Sequence, residues 1–311
     1  MHWADALFAE ITEFVRGRGD LVVSSGLSVS GLQHVGRLRG EVVLGNAIAR
    51  ALQEEGHNTQ HVLVLYTQDQ WKASPRQVAE FKDGSGSTYA SRRLIDVPDP
   101  HGCHPGWVDH YWEDFGDHLE DFARGVRVVR TSDIYTWPEM KAVVEDLGGR
   151  GEEVRAVVNR FRARHPYPPG WIPFEPLCLT CRRIGKARAL KVNDRTSVTY
   201  ECECGGRGES PIEQGKLNWR LEWPALWKVL RVDVEPFGKD HATPGGSRDS
   251  CKEVAKVILG SSRRSGSRTS GLGTRRRAST SGTWTPPTSR GSGPGTGSGS
   301  RTRRSSGTST S

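Results

Sequence analysis

The sequence predicts an α/β protein whose doubly wound sheet is interrupted by an insertion and followed by a disordered tail. Three observations predict it. The first 66 residues read strand, Gly/Ser turn, helix, strand, the unit from which parallel sheets are built. The second of those strands, HVLVLY (61–66), is apolar almost throughout, as a strand covered on both faces should be. After about residue 100 this texture gives way to a His-, Trp- and acid-rich stretch and a cysteine module, before strand-like RVDVEPF (231–237) and helix-like KEVAKVIL (252–259) resume it.

Each element follows from its pattern. Leu7, Ile11, Phe14 and Val15 recur at helical spacing, so the chain opens on an amphipathic helix. DLVVSS (20–25) is a short apolar strand that runs into the turn GLSVSG (26–31). In residues 33–56, Leu38, Val42, Ala47, Ile48, Ala51 and Leu52 mark one helical face, and Gly56 supplies the stop. VRVVR (126–130) reads as a further strand, 151–164 as a helix, and the Pro- and aromatic-rich 166–175 as a boundary.

Charge divides the chain sharply. The 311 residues carry 44 Lys+Arg and 36 Asp+Glu, a net +8. Residues 1–260 hold 34 basic and all 36 acidic side chains, so this body is −2; residues 261–311 hold ten Arg and no acid. A basic footprint for nucleic acid over the whole body is thereby excluded. No run approaches the ~18–20 apolar residues of a membrane helix, and the start, MHWADALFAE, has no secretory pattern. Without a secretory signal, paired cysteines read as metal ligands before disulfides, and a cytoplasmic location is expected.

The tail is expected to be disordered, because 45 of its 51 residues are Ser, Gly, Thr or Arg and no Val, Ile or Phe is present to offset ordering entropy. Two origins compete. It is an RNA-binding arm making phosphate contacts, or the product of a shifted reading frame. GAC-G, GAG-G and GTC-G read one base later give Thr, Arg and Ser.

Several motifs carry chemistry. The turn GLSVSGLQHVGR (26–37) joins a strand to a helix, where parallel sheets place ligands. Gly26 and Gly31 permit close backbone approach, and the helix N-terminus offers N–H groups to a phosphate. His34 and Gly36 form H-x-G at that helix start: His donates to a phosphate oxygen and Gly keeps Cβ out of the space a base needs. Read alone, the same segment also fits a plain turn. Cys178-Leu-Thr-Cys181 and, twenty residues on, Cys202-Glu-Cys204 supply the four thiolates of a closed structural Zn²⁺ site. Cys103 and Cys251 have no such partner and are assigned to core packing. Trp219, Trp223 and Trp227 recur at i, i+4 and i+8, a buried helix face or a hydrophobic wall, with Arg220 and Glu222 an ion pair or a ligand clamp between them. The loop EPFGKDHATPGGS (235–247) offers Lys239, Asp240 and His241 beside glycines, either a second ligand wall or a solvated loop.

Taken together, MHWAD (1–5), SGLSVSGLQHVGRLRGE (25–41), IDVPDPHGCH (95–104), the cysteine knuckles, KLNWRLEWPALW (216–227) and EPFGKDH…GGS (235–247) resemble class I lysyl-tRNA synthetases. The resemblance covers residues 1–260. It implies a Rossmann-type class I catalytic domain with an inserted zinc-binding subdomain, followed in the family by a helical anticodon-binding domain. On this chain it implies N-terminal and C-terminal catalytic parts at 1–100 and 216–260, a connective insertion at 101–215 and the tail at 261–311. The implied activity is activation of lysine with ATP and Mg²⁺ to lysyl-adenylate, then transfer to tRNA-Lys.

The resemblance also assigns residues. HVGR (34–37) looks like the HIGH signature, making His34, Gly36 and Arg37 the catalytic candidates. ATP would meet Ser30, His34, Gly36, Gly238, Asp240 and His241. Lysine would lie among Gly26, Ser28, Asp69, Trp219 and Glu222, with Glu222 or Asp69 facing its ammonium. Cys178, Cys181, Cys202 and Cys204 would hold zinc.

The sequence departs from the family at Ser28-Val29-Ser30-Gly31, where Thr-Pro-Ser-Gly is usual, at Thr67-Gln68-Asp69, where an acidic pair is expected, and at Arg248 in place of Tyr. It contains no KMSKS-type loop and no helical anticodon domain. The expectation is therefore an impaired synthetase; the alternatives are a non-catalytic RNA-binding relative and an inactive frame-shifted product.

Overall fold

The computed structural model describes residues 3–238, 241 and 246–260. The expected disordered tail and Asp240 lie outside the described residues.

Strands β1 (Asp20–Leu27), β2 (Asn58–Leu65) and β3 (Arg127–Arg130) form a parallel sheet with β2 in the middle. Gly26 pairs with Val64, and Val64 with Val129. A parallel bridge between Val23 and Val234 adds the segment around Val234 on the other side of β1. There Ser24 donates to the Val234 carbonyl at 2.8 Å, and Val234 to that of Val22 at 3.2 Å. Across the sheet the order is thus 127–130, 58–65, 20–27, 234. The chain winds outward in one direction and then jumps back across β1, which creates a switch point between β1 and the segment at 234.

Both faces are covered, which explains the apolar β2. Its Val62 and Val64 join a core with Tyr135, Val143, Leu221 and Trp223, while Leu63 and Leu65 join a second with Leu27, Leu38, Trp71 and Trp107. A third core packs Ile11 and Val15 of α1 (Trp3–Val15) against Leu21, Val23, Val234 and Ile48. Ile48 belongs to the crossover helix, here α2, residues 35–54. It begins as α-helix at Val35–Arg37, winds as π-helix over Leu38–Val43 and returns to α over Leu44–Glu54. Gly56 follows at φ 89°, a left-handed conformation that glycine takes without steric cost and that ends the helix.

The boundary expected at residue 100 cuts through this sheet, because β3 lies at 127–130 and pairs with β2. The helix expected over 151–164 ends earlier, at Asn159. The cysteine module carries the antiparallel strands β4 (Ala187–Asn193), β5 (Ser197–Cys202) and β6 (Arg207–Pro211). Ala189 and Val198 from this small sheet enter the first core, so the module is built onto the sheet domain. No helix among the described residues is long and apolar enough to cross a membrane.

Candidate active site and metal centres

The β1–α2 turn lies at the carboxyl end of the sheet. His34 precedes α2 in an extended conformation, φ −141° and ψ 157°, with no capping bond from its side chain, and it is exposed. Gly36 is fitted to it: a Cβ there would lie 3.1 Å from His34 Nδ1. Arg37 is engaged within the turn. Its guanidinium donates to the Ser28 carbonyl at 2.8 Å and to Gln33 Oε1 at 3.3 Å, and it pairs with Glu41. It therefore fastens the turn to the helix. Gln77 Nε2 donates to the Ser30 carbonyl at 3.0 Å, and Trp107 Nε1 to that of Val29 at 3.0 Å.

Across the switch point the chain leaves Val234 through Glu235 and Gly238, whose carbonyl accepts from the His241 amide at 3.1 Å. His241 Nδ1 and Ser247 Oγ lie 3.1 Å apart. Facing His241 is the tryptophan row of α3 (Trp219–Leu230), with ring centroids 5.2 Å away at Trp223 and 6.3 Å at Trp219. Pro224 within this helix cannot donate to the Arg220 carbonyl, and the Cys251 thiol does so instead at 3.5 Å. Trp219 stacks on Trp223 and meets Tyr66 edge-on at 5.4 Å. Tyr66 in turn lies over Gly26, where a Cβ would stand 2.7 Å from its ring. Gly26, Trp219 and His241 are thus brought together through two residues not singled out from the sequence, Tyr66 and Glu235. Glu235 is buried and accepts from both Trp223 Nε1, at 2.9 Å, and Trp227 Nε1. Burial pushes its carboxyl up to about 7. The signal available for both was a polar group ending an apolar strand. Arg248, for its part, lies over the Phe237 ring at 4.3 Å.

The two carboxylates expected to face a substrate ammonium behave differently. Glu222 is 0% exposed, with one oxygen 2.7 Å from Lys216 Nζ and the other accepting from Tyr135 at 2.9 Å. The chain's own lysine is thus its partner in this structure. The pairing with Arg220 fails, since that guanidinium bonds Ser250 Oγ and the Gly246 carbonyl. Asp69 pairs with Lys216 at 2.5 Å but stays 31% exposed. Burial pushes Glu222 up to about 7 against the pull of Lys216. Burial alone would lower Lys216; Asp69, Glu222 and Glu175 outweigh it and hold its ammonium above the ordinary value.

The four knuckle thiols converge, all within 4.8 Å of one another. Cys178 and Cys204 Sγ are 3.6 Å apart, and Cys181 and Cys202 Sγ 3.8 Å. A tetrahedron with Zn–S bonds of ~2.3 Å has edges of about 3.8 Å, so the group fits zinc. Cys251 is buried in the core as expected. Cys103 is not: it is exposed, and Asp99, His104 and His110 surround it in a second group of potential metal ligands. The sequence reading missed this group because only one cysteine marks it.

The family model for tRNA synthetases class I (K) matches residues 1–267. The lysine--tRNA ligase of Aeropyrum pernix is 47% identical over 263 residues, covering 83% of this chain and 48% of the relative. That of Archaeoglobus fulgidus is 33% identical over 260 residues, covering 83% and 51%, and that of Methanosphaera stadtmanae 30% over 267, covering 83% and 48%. The chain spans about half the length of these curated relatives. With the match extending over the whole described body, the chain belongs to the class I (K) tRNA synthetase family.

Proposed function

We propose that this chain carries the ATP- and lysine-binding part of a cytoplasmic lysyl-tRNA synthetase, which activates lysine and ligates it to tRNA-Lys. The observation that carries the reading is the sheet order. It sets the HVGR turn after β1 and the loop leading to His241 on the two sides of one switch point, where such sheets bind nucleotides. In the first step a lysine carboxylate oxygen attacks the α-phosphorus of ATP, the bond to the β-phosphate oxygen breaks and pyrophosphate leaves. The tRNA 3′-terminal hydroxyl then attacks the acyl carbon, and AMP leaves.

No protein nucleophile is required; the chain's part is positional and electrostatic. His34 donates to a phosphate oxygen, Gly36 leaves room beside it, and Arg37 holds the turn carrying Ser28 and Ser30. Gly238, Asp240 and His241 form the opposite wall for ATP, which arrives with Mg²⁺. Gly26, Tyr66 and Trp219 enclose the lysine stem, and Asp69, the more open carboxylate, faces the ammonium. Cys178, Cys181, Cys202 and Cys204 hold a structural zinc in the module inserted into the sheet domain.

Lysine-dependent ATP–pyrophosphate exchange tests the reading. Exchange that needs lysine, is weak as expected of an impaired synthetase, and is lost in His34→Ala is expected; failure of the purified chain to bind ATP at millimolar concentration would sink it. A second reading rests on the ten arginines of the tail. RNA binding that weakens steeply with salt and disappears on deleting 261–311 would favour it.

A further inference from the structure

We propose that a cavity between α2 and the loop before β3 binds a phosphate group, that of orthophosphate or of a small phosphate monoester, through Arg50, Arg124 and the ring of His61. The cavity measures about 250 Å³. One wall is a face of α2 that carries Asn46, Arg50 and Gln53 at i, i+4 and i+7; the rest is His61 of β2 with Arg124 and Gly125 of the loop. His61 stands four residues before the end of β2, which sets the cavity roughly 13 Å back along the strand from the carboxyl edge of the sheet. It is separate from the switch point, and the site does not depend on the proposed function.

Two observations point to an anion. Neither the Arg50 nor the Arg124 guanidinium has a hydrogen bond or ion pair with a described residue, and none of the residues lining the cavity is acidic. Glu120, close by in sequence, turns both carboxylate oxygens to the Gly125 amide at 3.2 Å. The second observation is His61, which is 2% exposed. Its Nε2 lies 2.9 Å from Ser25 Oγ, while Nδ1 is buried with no hydrogen-bond partner. With the Ser25 hydroxyl donating to Nε2, the Nδ1 proton is left over, and a ligand oxygen recovers the free energy lost by an unpaired donor. Burial lowers the His61 pKa to about 4, so the ring is a neutral donor at pH 7 and the two arginines supply the charge.

The walls are held in place without a ligand. Asn46 Nδ2 donates to the Arg124 carbonyl at 3.0 Å, which fastens the loop to α2, and Gln53 Nε2 donates to the Thr59 carbonyl at 2.6 Å, which fastens α2 to β2. Gly45 lets the helix close on the Ser25–His61 pair: a Cβ there would collide with Ser25 Oγ and stand 2.7 Å from His61 Nε2. Charge and size then select the ligand. Paired guanidinium forks match the oxygens of a phosphate dianion. A cavity of this volume admits one such group, and the net −2 of residues 1–260 works against a long polyanion.

Calorimetric titration of the full chain with sodium phosphate, at an ionic strength held constant with chloride, should show binding that weakens at least about tenfold in the double variant Arg50→Ala/Arg124→Ala. Glycerol phosphate should follow orthophosphate. No binding, or equal binding by the two proteins, overturns the site. An RNA oligonucleotide without terminal phosphates that binds through the same two arginines, where orthophosphate does not, overturns the ligand class. Should the double variant fail to fold, hydrogen exchange of the unaltered chain decides. Phosphate at ten times its Kd should slow exchange about tenfold at 46–53 and 123–126, and unchanged exchange there overturns the proposal. If the chain binds phosphate in this way but no ATP, the synthetase reading falls and the site stands.

Discussion

Lys216 places its ammonium 2.7 Å from the carboxylate of Glu222, a residue with no solvent exposure. Asp69 completes the group at 2.5 Å, and Glu175 approaches it from the short strand Phe174–Glu175. One cation thus stands among three carboxylates behind the tryptophan row. The arrangement ties the tryptophan helix to the strands on which Lys216 and Glu175 lie.

Removing the cation should therefore cost far more than removing one of its partners. Lys216→Met leaves a buried carboxylate without compensation, and a loss of about 3–5 kcal/mol is expected. Glu222→Gln retains an acceptor for Tyr135 while Asp69 still neutralises Lys216, so it should cost well under half as much. Urea unfolding of both variants checks this, and equal losses would contradict the assignment of Lys216 as the cation that balances the site.

Glu235 should make stability depend on pH in the opposite sense to an ordinary surface carboxylate. Burial raises its folded-state pKa to about 7, above the unfolded value near 4.5. A group raised in this way contributes stability that is present below the unfolded pKa and is lost as pH rises through the folded one. Between about pH 4.5 and 7, stability should fall, by on the order of 3 kcal/mol from this group. Glu222 is shifted in the same direction and adds to the trend. Glu235→Gln should flatten the curve while keeping an acceptor for Trp223 and Trp227. Denaturation midpoints at four pH values decide it, and a variant as steep as the parent would refute the assignment.

At Gly36, stability and binding should move in opposite directions. Alanine in a helix is favoured over glycine by roughly 0.5–1 kcal/mol, so Gly36→Ala should not destabilise the fold. Its Cβ, however, would come within 3.1 Å of His34 Nδ1 and displace that ring. ATP affinity should drop about tenfold, the equivalent of ~1.4 kcal/mol. Calorimetric titration with ATP beside a thermal melt separates the two effects. Unchanged affinity would remove His34 from the nucleotide site.

What could be read from the sequence was what periodicity encodes. The alternation of Val62, Leu63, Val64 and Leu65 between two cores is the physical origin of the run that marked β2 as doubly covered. The four knuckle cysteines were visible because two close pairs already specify a ligand count. Composition misled at residue 100, since the His- and Trp-rich stretch looks unlike a sheet domain yet leads into β3. The ion pair at Glu222 was not legible, because nothing local announces that Lys216, six residues earlier and on another element, turns inward to meet it. Asp99, Cys103, His104 and His110 escaped for a related reason: their convergence needs both the turn at 99–104 and the helix start at Trp107.

Zinc at the four cysteines should stabilise its module without being required by the parallel sheet. The strands β4 to β6 are joined to the ligands directly: Cys202 ends β5, and its amide donates to the Gly206 carbonyl at 2.8 Å, two residues past Cys204. The Leu179 amide also donates to the Tyr200 hydroxyl at 2.8 Å, linking the first knuckle to the same strand. Loss of the ion in Cys202→Ser should therefore release amide protection across 187–211, because metal binding energy at such sites is folding energy. Residues 58–65 pair with β1 and β3 and lie between two cores, so they should keep theirs. Hydrogen exchange followed by mass spectrometry reads both regions in one experiment. Simultaneous loss in both would mean that the module and the sheet unfold as one unit, as the shared positions of Ala189 and Val198 in the first core would then require.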